Sequence, residues 1–140
     1  MFKCIENSFL KSSLNDDIIT FQVIKNTPSD IEWEMSKVMV DAWYNYIESA
    51  NLQVGFLFLL QNLIFIKPRH LLEWKDIFNS KREKTKKYII GTAIIVENAL
   101  IRMFVNTFFN NFNSERPVKF VKNKEDGISF IKSIPIPKSK

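Results

Sequence analysis

The stretch that most limits what this chain can fold into is Lys87 to Phe112, KYIIGTAIIVENALIRMFVNTFFNNF. Its first half, Tyr88 to Val96, is a continuous run of β-formers. A strand wet on one face would alternate with polar residues, so this one reads as a central strand covered on both faces. At Glu97-Asn98 the period changes. Leu100, Ile101, Phe104, Val105, Phe108 and Phe112 recur at helical spacing, with Arg102, Asn106, Asn110 and Asn113 opposite them. Asn98 is placed to cap that helix, because its side-chain oxygen accepts from a free amide of the first turn. A buried strand running straight into an amphipathic helix is half of a β-α-β unit.

The rest of the chain extends that unit in both directions. Residues 2–10 (FKCIENSFL) and 18–25 (IITFQVIK) are β-rich. The polar residues Lys11 to Asp17 between them predict a hairpin whose loop is longer than the two-residue kind. Ser29 and Glu32 make an S-x-x-E capping box for a helix running to about Ser49. Its expected inward face is Ile31, Met35, Val38, Ala42, Tyr46 and Ile47, with Glu32, Glu34, Lys37, Asp41 and Glu48 in water. Val54–Leu60 is a second buried strand. Pro68 suits the first turn of a further helix, whose apolar stripe is Leu71, Trp74 and Phe78. The run Lys81 to Lys87 reads as a solvated connector into the central strand. Past the phenylalanine-rich helix, Arg116-Pro117 breaks the pattern and 118–122 is a short strand. Asn123 caps a last small helix with Asp126 at its third position and Ile128 and Ile131 facing in.

Residues 133–140, SIPIPKSK, read as a disordered tail. The order β-β-α-β-α-β-α-β-α predicts a single α/β domain over residues 1–132. It has a mostly parallel central sheet, an N-terminal hairpin and about four helices.

With 140 residues, 46% of them hydrophobic and 13 of them Phe, the chain can bury a core and is not a disordered composition. Cys4 is the single cysteine and cannot form an internal disulfide. The apolar runs are too short to span a bilayer, and MFKCIENSF lacks the apolar core of a secretory signal, so a cytoplasmic protein is expected. The net charge of +5 is unevenly placed: residues 1–80 hold 7 Lys/Arg against 10 Asp/Glu, and residues 81–140 hold 13 against 5. Such a field either solvates the chain or attracts an anionic partner.

The pattern resembles the STAS-like domains related to anti-sigma-factor antagonists, and more closely the small stand-alone STAS/SEC14-like proteins. The resemblance covers about residues 15–132. It rests on the capped helix after an opening hairpin, the strand GFLFLL, the strand Thr92 to Val96, the helix LIRMFVNTFF and the closing V-K-F-V-x-N-x-E-x-G-I-x-F-I unit. It implies a non-enzymatic regulatory or protein-binding module. Regulatory members carry Asp-Ser-Ser-Gly after the second main strand, with a phosphorylated serine at the helix start. This chain has Lys67-Pro68-Arg69-His70 there, without a hydroxyl, so the phosphoserine switch does not carry over.

No enzyme motif is present, and Asp16, Asp17, Asp30 and Glu32, the carboxylates from which a hydrolytic pair would be drawn, are explained more simply by turn and cap chemistry. The three glycines form no phosphate-cradling loop, and Cys4 and His70 are too few for a structural metal site, so no cofactor or metal is expected. His70 is the only imidazole and no G-x-S-x-G accompanies it, so it reads as a surface or helix-start histidine. Lys67, Arg69 and His70 at a helix N-terminus are the candidate anion- or partner-binding corner. Lys81, Arg82, Lys84, Lys86 and Lys87 form a candidate basic patch for nucleic acid or an anionic membrane. Phe104, Phe108, Phe109, Phe112, Trp43 and Trp74 are the residues from which an apolar-ligand or lipid pocket would be built. Met103 and Phe109, at the edge of their helix's apolar stripe, are the candidate homodimer patch.

Overall fold

Val54–Leu59 and Ile89–Ile95 form β4 and β5, and nearly every residue of both is buried. Two adjacent strands buried on both faces demand helices above and below. The computed structural model describes residues 3–110 and 115–136, with the backbone alone for Lys3 and residues 108–110. Before β4 come β1 (Lys3–Glu6), β2 (Leu10–Asn15), β3 (Ile18–Val23) and α1 (Asp30–Ala50). Between β4 and β5 lie α2 (Pro68–Ser80) and α3 (Arg82–Tyr88); after β5 come α4 (Ala99–Asn110), β6 (Val118–Val121) and α5 (Lys124–Ser133). The six strands lie side by side in chain order. β1 to β3 pair antiparallel, and β3 to β6 pair parallel.

Each parallel crossover steps the same way across the sheet, so connections of one hand put their helices on one face. That face carries the larger core, with Trp33, Trp43 and Tyr44 of α1 and Ile101 and Val105 of α4. The other face of β4 and β5 is closed by α5, through Ile131 against Leu57, Ile90 and Ala93. All three glycines of the chain make room there. A Cβ on Gly55 would lie 2.4 Å from Ile131 Cγ2, one on Gly127 2.7 Å from Leu57 Cδ1, and one on Gly91 2.4 Å from Ile134 Cδ1.

The opening differs from the expected hairpin. LKSSLN is itself a strand, β2, joined to β3 by a two-residue turn whose residues Asp16 and Asp17 have φ of 54° and 62°. Positive φ at both positions is the tight turn that follows strand twist. The polar look of β2 misleads because Ser12 is buried for a reason: it accepts from Trp43 Nε1 at 2.7 Å and donates to the Ile5 carbonyl at 2.8 Å.

Helix α1 starts on the expected capping box. Ser29 Oγ accepts from the Glu32 amide (3.2 Å) and Glu32 Oε1 from the Ser29 amide (2.9 Å). Its orientation is the main correction. Trp33, Ser36, Met39, Val40, Trp43, Tyr44 and Ile47 face the core, whereas Ile31, Met35 and Val38 are exposed. Both faces are apolar in sequence. The one bearing two indoles and a phenol has more area to remove from water, and it wins. Glu32 is accordingly buried rather than in water, bonded by Ser8 Oγ (2.5 Å) and Lys25 Nζ (2.9 Å). The Ser8 hydroxyl, with the Ser29 amide, holds its carboxyl down at about 2.

The expected connector before β5 is helix α3, which adds a fifth helix to the expected four. Asn98 and Asn123 cap α4 and α5 as expected, Asn98 Oδ1 accepting from the Leu100 and Ile101 amides and Asn123 Oδ1 from the Asp126 amide. On α4, Ile101 and Val105 are buried and Phe104 is half-buried, but Leu100 is exposed. The side chains of Phe108 and Phe109, and residues 111–114 with Phe112, lie outside the described residues. The start of the expected tail is packed: Ile134 sits against the α5-side core and the Pro135 carbonyl accepts from Arg116 Nη2 at 3.1 Å, while 137–140 lie outside the described residues. Among the described residues no helix is long and apolar enough to cross a membrane.

Ser12→Ala leaves the buried Trp43 N–H without its acceptor, and an orphaned buried donor costs about 1–3 kcal/mol. Denaturant unfolding should show a lower midpoint at unchanged slope. An unaltered midpoint would mean that the Ser12–Trp43 bond does not hold β2 to α1.

Candidate functional site

The two helices that flank the C-terminal ends of β3 and β4 begin beside one another. α1 starts at Asp30 behind its serine cap, and α2 starts with Pro68 at its first position behind Lys67, which caps through no side-chain bond. The loops entering them are stitched together, Ile64 N donating to the Asn26 carbonyl and Asn62 Nδ2 to the Val23 carbonyl, each at 3.0 Å. This places Lys67, Arg69 and His70 around a single carboxylate, that of Asp30. Lys67 Nζ lies 3.0 Å from Oδ1, His70 Nε2 2.9 Å from Oδ1, and Arg69 Nη2 2.7 Å from Oδ2.

The three residues expected at this corner are therefore brought together, but the chain supplies their anion itself. Asp30 is the residue that the sequence reading took for cap chemistry and did not place at this corner. At the start of α1 it serves the helix dipole and gives no sign of partners 37 to 40 positions away. Hydrogen bonds from Arg69, then Lys67 and His70, hold its carboxyl well below the usual carboxylate range, and Asp30 in turn raises the Arg69 guanidinium. Asp30, Lys67 and Arg69 are about half exposed, so solvent screens these pairs.

His70 is not a surface residue. It is 1% exposed, stacked on Trp33 with ring centres 4.7 Å apart, and its carbonyl accepts from Trp33 Nε1 at 3.1 Å. With Asp30 ionised, Nε2 carries the proton toward it. Nδ1 has no partner among the described residues. The imidazole thus reaches from the aromatic core to the surface carboxylate.

The segments that carry this polar knot also hold exposed apolar side chains. Ile31 is 74% exposed, Ile64 52% and Phe65 45%, with Ile24 also bare at the end of the loop that Ile64 touches.

The basic run is placed differently. Lys81 pairs with Asp41, Lys84 Nζ with Glu48 (3.0 Å) and Arg82 Nη1 with Glu115 (3.4 Å), so most of it bridges to neighbouring elements, chiefly α1. Lys87 lies over the Tyr88 ring and Lys86 is exposed. An apolar cavity of about 80 Å³ lies between Trp33, Phe58, Leu63, Leu71, Trp74 and Val105. Of the aromatics expected to line a pocket, Trp74 does so, whereas Trp43 is sealed in the core. The space is roughly half that of a ~150 Å³ cavity that admits benzene, too little for a lipid chain. Met103, expected at a dimer patch, is exposed. Among the described residues, no three His, Cys, Asp or Glu side chains gather to hold a metal.

No family model matches the chain, and no curated protein does. A solved structure is similar to it: an uncharacterized protein from the DUF3478 family with a SpoIIAA-like fold, from Shewanella loihica PV-4. The likeness covers 94% of this chain and 92% of that one at 12% identity and a TM-score of 0.57. It shows the fold, a SpoIIAA-like α/β domain, as the resemblance to STAS-like domains implies.

Because the Asp30 carboxyl is held down in the folded state, its ties stabilise the fold above the unfolded-state value of about 3.9 and are lost as pH falls through the lower folded-state value. Asp30→Asn should lower the unfolding temperature at pH 7 and converge on the parent protein as the solution is made strongly acidic. Coincident pH profiles would show that the corner adds no stability.

Proposed function

We propose that this chain is a non-enzymatic regulatory module that binds a protein partner at the corner where α1 and α2 begin. The observation that carries the reading is the combination there of large bare apolar side chains, Ile31, Ile64 and Phe65, with a charged cluster held in place from beneath by His70. Exposed apolar groups ringed by polar ones are the surface signature of an interaction site. Preordered charges at its edge set orientation and exclude wrong partners.

The partner is an apolar protein surface carrying an acidic side chain for the outer edge of Arg69. Asp30 already satisfies much of the cationic demand, so the corner is not a trap for free anions. The SpoIIAA-like fold agrees with a regulatory role. A basic-surface reading is weaker, since Lys81, Arg82 and Lys84 are spent on Asp41, Glu115 and Glu48.

The test is affinity capture from the cells of origin with the parent chain, with Lys67→Glu/Arg69→Glu, and with Phe65→Asp. A protein held by the parent and weakened about tenfold or more by each variant supports the corner, since losing a hot-spot side chain at an interface centre costs about 2 kcal/mol or more. Recovery of nucleic acid alone, released by salt from all three chains, would move the site to the basic half.

A further inference from the structure

Beyond Ile31, the outward face of α1 is explained neither by the fold nor by the corner at its start. Ile31 is 74% exposed, Met35 47% and Val38 67%, and Ala42 is half-covered one turn on. Their spacing of four, three and four residues is the heptad seam by which one helix packs along another. The opposite face of α1 already fills the core. The second apolar stripe is left bare by the chain itself, among the described residues.

We propose that a second copy of this chain covers it, with α1 packed antiparallel on α1 about a two-fold axis. Two properties of the face select a copy of itself. The first is steric: antiparallel pairing sets each a position against a d position, so Ile31 meets Ala42 of the other copy and Met35 meets Val38. Large stands against small at both ends, and the two-fold repeats the match.

The second is charge. Along the flank facing α2 and α3 each acid is matched by a base, Glu34 with Lys37, Asp41 with Lys81 and Glu48 with Lys84. A flank so balanced attracts no strongly charged partner and does not repel its own copy. The two-fold brings the exposed Glu34 of one chain beside the Lys81–Asp41 pair of the other. One helix per copy buries less than the ~800 Å² per partner of a standard interface, so the dimer is weak and forms with rising concentration.

This surface adjoins the proposed partner corner and shares Ile31 with it. The variants therefore avoid Ile31. Sedimentation velocity on the full chain should show mass rising from monomer to dimer with concentration. Met35→Glu/Val38→Glu should stay monomeric throughout with the unfolding temperature kept, because both side chains face water in the monomer. In a Cys4→Ser background, mixing Met35→Cys chains with Val38→Cys chains should give a disulfide-linked heterodimer faster than either chain alone links to itself. A parent that is monomeric at every concentration overturns the proposal. So does a dimer that survives the double glutamate variant, or cysteine chains that link like to like.

Discussion

The structure depends on the burial of β4 and β5 on both faces. Backbone amides and carbonyls of strands with no access to water must pair, and here they do so in a parallel ladder with β3 on one side and β6 on the other. Parallel pairing forces crossovers, and crossovers that all advance in one direction stack α1, α2, α3 and α4 on one face. That leaves the second face of the central strands to a single short helix. α5 covers it by coming very close, and the three glycines of the chain are the positions where backbone or sheet yields space to Ile131, Leu57 and Ile134.

The same arrangement creates the corner. Crossover helices that start at the C-terminal ends of neighbouring strands bring their N-termini together, and two positive helix ends side by side favour an anion between them. Asp30 supplies one from within, and Lys67, Arg69 and His70 converge on it. The carboxylate thus does double service, at the start of α1 and as the tie between α1 and α2. Ile31, Ile64 and Phe65, on the segments that carry it, stay exposed, and these apolar side chains rather than the charge distinguish the corner from an ordinary surface knot of ion pairs.

Much of this was legible residue by residue. The capping box at Ser29 and Glu32, the asparagine caps at 98 and 123, and the buried strands β4 and β5 all follow from signals carried within a few positions. The placement of Lys67, Arg69 and His70 at a helix start followed from Pro68. Three readings failed for one shared reason, which is that the deciding contact lies far away in sequence. Ser12 looks like a loop residue until Trp43 needs its oxygen. The basic run looks like a connector until Asp41 and Glu48 line up beside it. Ile134 looks like tail until Gly91 leaves a socket for its side chain.

By itself, then, the sequence determined the elements and their order, because caps, turns and apolar runs act over one or two turns of chain. The resemblance to STAS-like domains rests on that order, and the SpoIIAA-like fold agrees with it. Tertiary structure decided which of two apolar faces of α1 goes inward, since only the sheet beneath it can reward burying Trp33, Trp43 and Tyr44 over Ile31, Met35 and Val38. It also decided that the cationic corner would be filled by Asp30, because a carboxylate 37 to 40 residues from its partners finds them only once the sheet has brought two helix starts together.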